Sequence, residues 1–522
     1  MPYSLPSMTP VLPATPIPVR RQDEARPMIK PLPAPALWLY VHLPHLPLEV
    51  LTRGMGNARA CVLVQGEGGR RKVVMVNTRA ATLGIRPGMP LGAAHALGEI
   101  VELERNARAE QHALANLGLW AMHMTSMVSL VPPDGVLLEV RGSLRLFKGL
   151  DGLLATLRQG LKQLGYRTQY AVGPTPLAAT LLARNATRSV VLDLHELGRH
   201  LGGLPLATLR LASAEQEALD SIGVRSIGEC RRLARADLAR RLSPAFLDQL
   251  DRLYGQLPDL RSAMPTPSAF EAQLELPWEV RHAQALITAG ERLLLELQGY
   301  LRAHGAMTRQ LRWCLRDRAG HAVRFEIRLT QPGRDHAHML LLLRETLMRM
   351  TLKAPVTAIE LEVDELTQGA PTASADLFGV RHQVQGEAYA VFVDRLRSRC
   401  GAEALRAMDL QGDHRPESAW RWRASDELGR RGASKPFFPD GLNLRPVWLV
   451  KEPVTLPTHH GVPQFEGPLR LVPGRERIDS GWWDERGQAR DYFIAQTTRG
   501  SRLWVFKELD GEQRWRLQGV FE

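Results

Sequence analysis

Leu37-Trp38-Leu39-Tyr40-Val41-His42-Leu43-Pro44-His45-Leu46-Pro47 is the stretch on which the reading of this 522-residue chain turns. Its opening apolar run is short and rich in strand-forming side chains, so it reads as a buried strand. Pro44 and Pro47 cannot donate to a ladder and carry the strand into a turn. Upstream, residues 1–36 hold too many prolines for helix or sheet and are expected to be a disordered leader. Downstream, strand signals return at Lys72–Val76 and Gly135–Val140, while Ala107–Met124 and Gly152–Leu164 carry helical spacing. Residues 201–262 read as short helices broken by Gly223, Gly228 and Pro244. Between 270 and 367 the order is helix Ala283–His304, strands Thr308–Arg316 and Ala322–Thr330, helix His336–Leu352, strand Ala358–Asp364. Glu387–Cys400 reads as a helix and 411–440 as a charged linker. A last segment holds Trp448, Trp482, Trp483, Trp504 and Trp515 among alternating strands.

Lys and Arg number 67 against 55 Asp and Glu, a formal charge of +12 with a pI near 9.9, which points to an anionic partner, nucleic acid first and a membrane surface second. Cys61, Cys230, Cys314 and Cys400 form no C-x-x-C pair, so neither a zinc site nor a disulfide framework is expected. No apolar run reaches the roughly 18–20 residues that span a bilayer, and no signal-peptide pattern opens the chain. A soluble cytoplasmic protein is expected.

Val76-Asn77-Thr78-Arg79-Ala80-Ala81-Thr82-Leu83-Gly84-Ile85-Arg86-Pro87-Gly88-Met89-Pro90 resembles the fingers signature of the Y-family translesion DNA polymerases, roughly A-S-Y-E-A-R-K-F-G-V-K-S-G-M-P. Leu39–Pro47 is similar to the opening palm strand of that family, Pro132–Val140 to its second palm motif, Tyr170–Arg184 to its palm helix, and Ile222–Leu233 to its thumb. The matches are collinear over 37–367. The closing blocks at Arg445–Leu449, Gly474–Trp483, Arg490–Tyr492 and Leu503–Phe506 resemble the ImuB type, a non-polymerising branch of bacterial mutagenesis cassettes. The resemblance implies an α+β right hand with a C-terminal extension. Its palm would be 37–200 with fingers inserted at about 46–116, its helical thumb 201–262, and its little finger 270–367. A clamp-binding peptide at 371–379, a helix and linker at 380–440 and a Trp-rich docking module at 441–522 would follow.

Two-metal phosphoryl transfer needs several carboxylates around Mg²⁺. In the family pattern H-V-D-M-D-A-F-F the first aspartate falls on His42 and the next acidic position on Pro44, while the aromatic pair that screens the sugar falls on Leu46 and Pro47. The second motif keeps Asp134 but has Gly135 where the family has its catalytic glutamate. Imidazole is a poor Mg²⁺ ligand and proline none. The tyrosine and arginine of the fingers become Thr78 and Ala81, so the forked cationic grip on a triphosphate is lost too. Glu49 lies past the turn, and Glu139 matches an acidic position that is not a metal ligand. No cofactor and no metal are expected.

What is left points to DNA. Gly223, Arg225 and Gly228 sit in a segment resembling part of a helix–hairpin–helix, whose glycines admit a phosphate to backbone N–H groups; a plain helix end is the alternative. Arg309, Arg312, Arg316, Arg324 and Arg328 lie on two strands where they could meet phosphates, with Glu326 between the last two and solvated surface charge as the alternative. Ser374-Ala375-Asp376-Leu377-Phe378 resembles a peptide that docks on the bacterial sliding clamp, with Ser374 in place of its glutamine. The resemblance implies a scaffold on primer–template or damaged DNA, with the sliding clamp, an error-prone C-family polymerase and an ImuA-like protein as partners and no membrane. An active translesion polymerase, or a repair factor without clamp contact, are the competing expectations.

Overall fold

A computed structural model describes residues 36–55, 59–185, 189–209, 211–368, 380–424, 445–481 and 487–521; the leader, Ser374–Phe378, Trp482 and Trp483 lie outside them. The chain begins with strand β1 (Trp38–His42) and helix α1 (Leu46–Thr52), where Leu46 and Pro47 form the first turn. A small unit follows: β2 (Cys61–Gln65), β3 (Lys72–Val76), α2 (Thr78–Thr82), α3 (Leu91–Ala96) and β4 (Val101–Glu104), with strand order β3-β2-β4. Asn77 starts α2 because its side chain accepts from the Ala80 amide at 2.9 Å. The chain then returns through α4 (Ala107–Ala121), β5 (Val128–Val131), β6 (Gly135–Glu139), α5 (Leu150–Leu164), β7 (Gln169–Gly173) and α6 (Pro176–Arg184).

These pieces close a sheet of order β5-β6-β1-β7, in which β1 is antiparallel to both neighbours and His42 lies opposite Gly135 and Gln169. Both faces of β1 are covered, which is why its sequence is a continuous apolar run. Leu39 and Val41 pack with leucines of α4 and α5, while Trp38 and Tyr40 pack with α6 and the helices that follow. On α5 the buried positions Leu153, Leu157, Leu161 and Leu164 recur every three or four residues, one face of a helix.

The next unit is helical: α7 (Leu197–Leu201), α8 (Ser213–Ser221), α9 (Ile227–Arg232), α10 (Arg235–Arg241) and α11 (Pro244–Leu253). Ser226 caps α9, and Glu229 returns a hydrogen bond from the Ser226 amide.

A second sheet of order β10-β9-β11-β8 contains β8 (Phe270–Val280), β9 (Ala306–Asp317), β10 (Ala322–Gly333) and β11 (Val356–Val363), with β12 (Leu366–Gln368) beside β9. Helices α12 (Leu286–Ala303) and α13 (His336–Arg349) fill its inner face. The edge strand β8 has no counterpart in the sequence reading. Helix α14 (Val380–Cys400) contains the helix expected at Glu387–Cys400 and packs against α13 and β10 of this body. Asp394 on it is buried, accepts from the Thr330 amide at 2.6 Å and lies 3.0 Å from His338 Nε2. Residues 411–440 are not a linker throughout: β13 (Arg406–Leu410) pairs antiparallel with β14 (Trp420–Ala424). Alternating tryptophan and arginine gave no apolar run to signal that strand.

The C-terminal segment holds β15 (Trp448–Leu456), a small pair β16 (Thr458–His459) and β17 (Val462–Pro463), and β18 (Arg470–Ser480), β19 (Gln488–Gln496), β20 (Arg502–Glu508) and β21 (Trp515–Val520). Its sheet order is β15-β21-β20-β19-β18.

The first and second sheet bodies are joined by an ion pair that water does not reach: Arg53 Nη1 lies 2.5 Å from Glu296 Oε1, both side chains 1% exposed. Trp120 packs so closely on α12 that a Cβ on Gly299 would come within 2.9 Å of the Trp120 Cα.

Candidate functional site

Asp134, the carboxylate that the sequence reading singled out, sits in the turn before β6, at the end of β1. Its neighbours are cations and hydroxyls rather than acids. Arg184 Nη2, from the last turn of α6, lies 2.6 Å from Asp134 Oδ1, and the Tyr40 hydroxyl donates to the same oxygen at 3.3 Å. His42 Nε2 lies 3.3 Å from Oδ2, and His42 Nδ1 lies 3.3 Å from Gln169 Oε1. Burial works to raise the Asp134 pKa, but hydrogen bonds with His42 and Arg184 and the guanidinium charge outweigh it and hold the carboxyl below its usual range. Burial pushes the Tyr40 hydroxyl up, keeping it a neutral donor.

A guanidinium therefore occupies the flank of Asp134 where a divalent cation would need open oxygens, and its charge opposes a second cation there. Gly135 is required by this packing: a Cβ at 135 would overlap Oη and Cζ of Tyr40 and lie 2.5 Å from Cε2. Among the described residues no group of three or more His, Cys, Asp or Glu converges as a metal cage. Pro44 lies beside His42 and adds no donor. Glu49 is buried on α1 with its carboxylate accepting the Arg167 amide at 3.1 and 3.2 Å. Burial, against Arg167 and Arg53, pushes its pKa up to about 7. Glu139 accepts from the amides of Leu37 and Arg141, both at 3.0 Å, and so ties strand ends together.

Thr78 and Ala81 lie exposed on α2, and Arg167 donates to the Thr78 hydroxyl. His45, partly buried at the start of α1, is held below the usual histidine range by burial and by the charges of Arg167 and His42. Tyr40, Arg167 and Arg184 escaped sequence reasoning. Arg184 carried one signal, a cation in the last turn of a helix that follows a β1 neighbour.

The residues expected to touch DNA fall in two places. Gly223 has φ +76° in an open turn between α8 and α9, and Arg225 is exposed beside it. Gly228 is a packing residue: its amide donates to Gly202 O at 3.0 Å, and a Cβ there would come within 2.8 Å of that oxygen. On the second sheet the strand arginines share their outer face with acids brought by β11 and β8. Arg312 Nη2 lies 3.0 Å from Glu362 and 2.5 Å from Asp364. Arg316 forks onto Glu360, and Arg328 pairs with Glu326. Register also sets Glu271 opposite Glu362 and Gln273 opposite Glu360. Arg309 and Arg324 have no ion-pair partner among the described residues. The face is thus cationic toward β10 and acidic toward β8, not uniformly basic.

Residues 54–184 match the family model described as the impB/mucB/samB family. Protein ImuB of Caulobacter vibrioides strain NA1000 / CB15N is 25% identical over 465 residues, covering 84% of this chain and 100% of the relative, and ImuB from a second strain of that species matches to the same extent. Among solved structures, the chain is similar to a Y-family DNA polymerase chimera, at 15% identity and a TM-score of 0.36 over 64% of this chain and 100% of the other. It is also similar to DinB from Sulfolobus solfataricus, at 16% identity and a TM-score of 0.35 over 63% of this chain and 98% of that one.

Proposed function

We propose that this chain, similar to ImuB over 84% of its length and matching the impB/mucB/samB family model at residues 54–184, is a non-polymerising scaffold of translesion synthesis. The observation that carries this reading is the state of Asp134: its oxygens are taken by Arg184, Tyr40 and His42, so the palm-like cleft offers no pair of carboxylates to two metal ions. The division into palm, inserted fingers, thumb and little finger belongs to the same proposal.

The scaffold binds primer–template DNA through Arg309 and Arg324 on the cationic side of the second sheet, with Arg312, Arg316 and Arg328 contributing less because glutamates already hold them. Gly223 and Arg225 add a contact from the helical unit. Leu377 and Phe378, with Ser374 to Asp376, anchor the sliding clamp, and the C-terminal sheet recruits an error-prone C-family polymerase together with an ImuA-like protein. The protein works in the cytoplasm; among the described residues no helix is long and apolar enough to cross a membrane.

Two measurements test the proposal. Purified chain with Mg²⁺, nucleotides and a primed template should add no nucleotide, and any metal-dependent extension refutes it. Capture of clamp and polymerase should fail, respectively, with Leu377→Ala/Phe378→Ala and with a truncation before Arg445; retention of both partners by both variants removes the docking assignment.

A further inference from the structure

The hairpin β13–β14 is built inside out. By the strand period, Arg406, Met408, Trp420 and Trp422 share one face, and Asp409, Arg421 and Arg423 the other. A hairpin packed on a protein turns its aromatics inward and its charges to water. Here Met408 is 68% exposed, Trp422 55% and Trp420 38%, while the side chains of Asp409 and Arg423 on the reverse face are 23% and 18% exposed. The two indoles meet edge to face with centroids 5.4 Å apart. At the turn, Glu417 receives Arg490 Nη1 at 3.0 Å and Gln518 Nε2 at 3.3 Å, which ties the hairpin to the C-terminal sheet. This exposed aromatic face, held to the C-terminal sheet through its turn, is open to an occupant.

The composition of the face says which. No acidic residue occupies an outward position of either strand, Arg406 shares the aromatic face, and Arg421 reaches solvent with 66% of its side chain exposed. The aromatic face thus carries two π surfaces and the cation of Arg406, with no acid beside them. That combination suits unpaired nucleotides, since a base offers a face to stack and its linkage a charge to meet. We propose that the β13–β14 hairpin is a platform for single-stranded DNA, with Trp420 and Trp422 stacking bases and Arg406 meeting a neighbouring phosphate. The site lies outside the polymerase-like body, and it rests on the reading that this chain works on DNA.

The test uses the full chain and fluorescence anisotropy with a labelled oligo-dT and a blunt duplex of equal length. Trp420→Ala/Trp422→Ala should weaken oligo-dT binding by roughly 10- to 100-fold while duplex binding stays within about twofold. Trp420→Phe/Trp422→Phe should stay within a few-fold of wild type, and Trp420→Leu/Trp422→Leu should be as weak as the alanine pair. Leucine serving as well as phenylalanine would show apolar contact rather than stacking. Unchanged oligo-dT binding by the alanine pair, with loss of polymerase capture instead, would make the face a protein-docking site. A wild-type chain that binds neither DNA removes the DNA-binding reading itself, whereas intact duplex binding without a tryptophan effect removes only the platform.

Discussion

Gly135→Glu would place a second carboxylate next to Asp134, and the packing around position 135 opposes it. A Cβ at 135 overlaps the Tyr40 ring, which is fully buried between β1, β6 and α6. Forcing one extra carbon into such packing costs about 1–3 kcal/mol. Expelling the ring approaches the roughly 3–5 kcal/mol of deleting a large buried aromatic. Gly135→Ala should therefore destabilise by about 2–3 kcal/mol, and Gly135→Glu by more. The three nearest clashing atoms all belong to Tyr40, so Gly135→Ala placed in a Tyr40→Val background should lose most of its cost, a coupling of about 1–3 kcal/mol in a double-mutant cycle. Chemical denaturation of the four proteins measures this, and primer extension by His42→Asp/Gly135→Glu measures the functional consequence. A Gly135→Ala protein within about 0.5 kcal/mol of wild type, or metal-dependent extension by the restored pair, would refute the reasoning.

Arg53→Met leaves Glu296 charged and unpaired in a dry interface and should cost about 3–5 kcal/mol; Arg53→Met/Glu296→Leu should recover most of it in the same denaturation assay. Asp134→Asn should cost about 1.5–3 kcal/mol at neutral pH by stranding Arg184. Because the folded-state pKa of Asp134 is depressed, that stability is present above its ordinary value of 3.8 and is lost as pH falls below it, so the gap between mutant and wild type should close on acidification. Glu49 has the opposite sign. Its pKa rises from 4.5 to about 7 on folding, so stability drains as pH climbs through that window, and Glu49→Gln should flatten the slope and exceed wild type at pH 8 in thermal melts.

Sequence by itself determined which side chains stand at the positions the resemblance singled out: histidine at 42, proline at 44 and glycine at 135, none of them a carboxylate. It also marked β1, β3, β6, α4 and α5 of the first body and most elements of the second sheet, since their periods of two and of 3.6 are written locally. Glu49 and Glu139 could be set aside from position alone, and the structure engages each with backbone amides instead. What only the tertiary structure decided are pairings across long separations. Arg184 reaches Asp134 because α6 packs on β1, and Arg53 meets Glu296 because the turn after α1 is set against α12. Arg312 and Arg316 lose their freedom because the register of β11 sets glutamates beside them. The hairpin at 406–424 was illegible for a related reason: its aromatic face points to solvent, so no buried apolar pattern marked it. Local spacing reports which way a side chain leaves the backbone, but not what the rest of the chain has placed there to meet it.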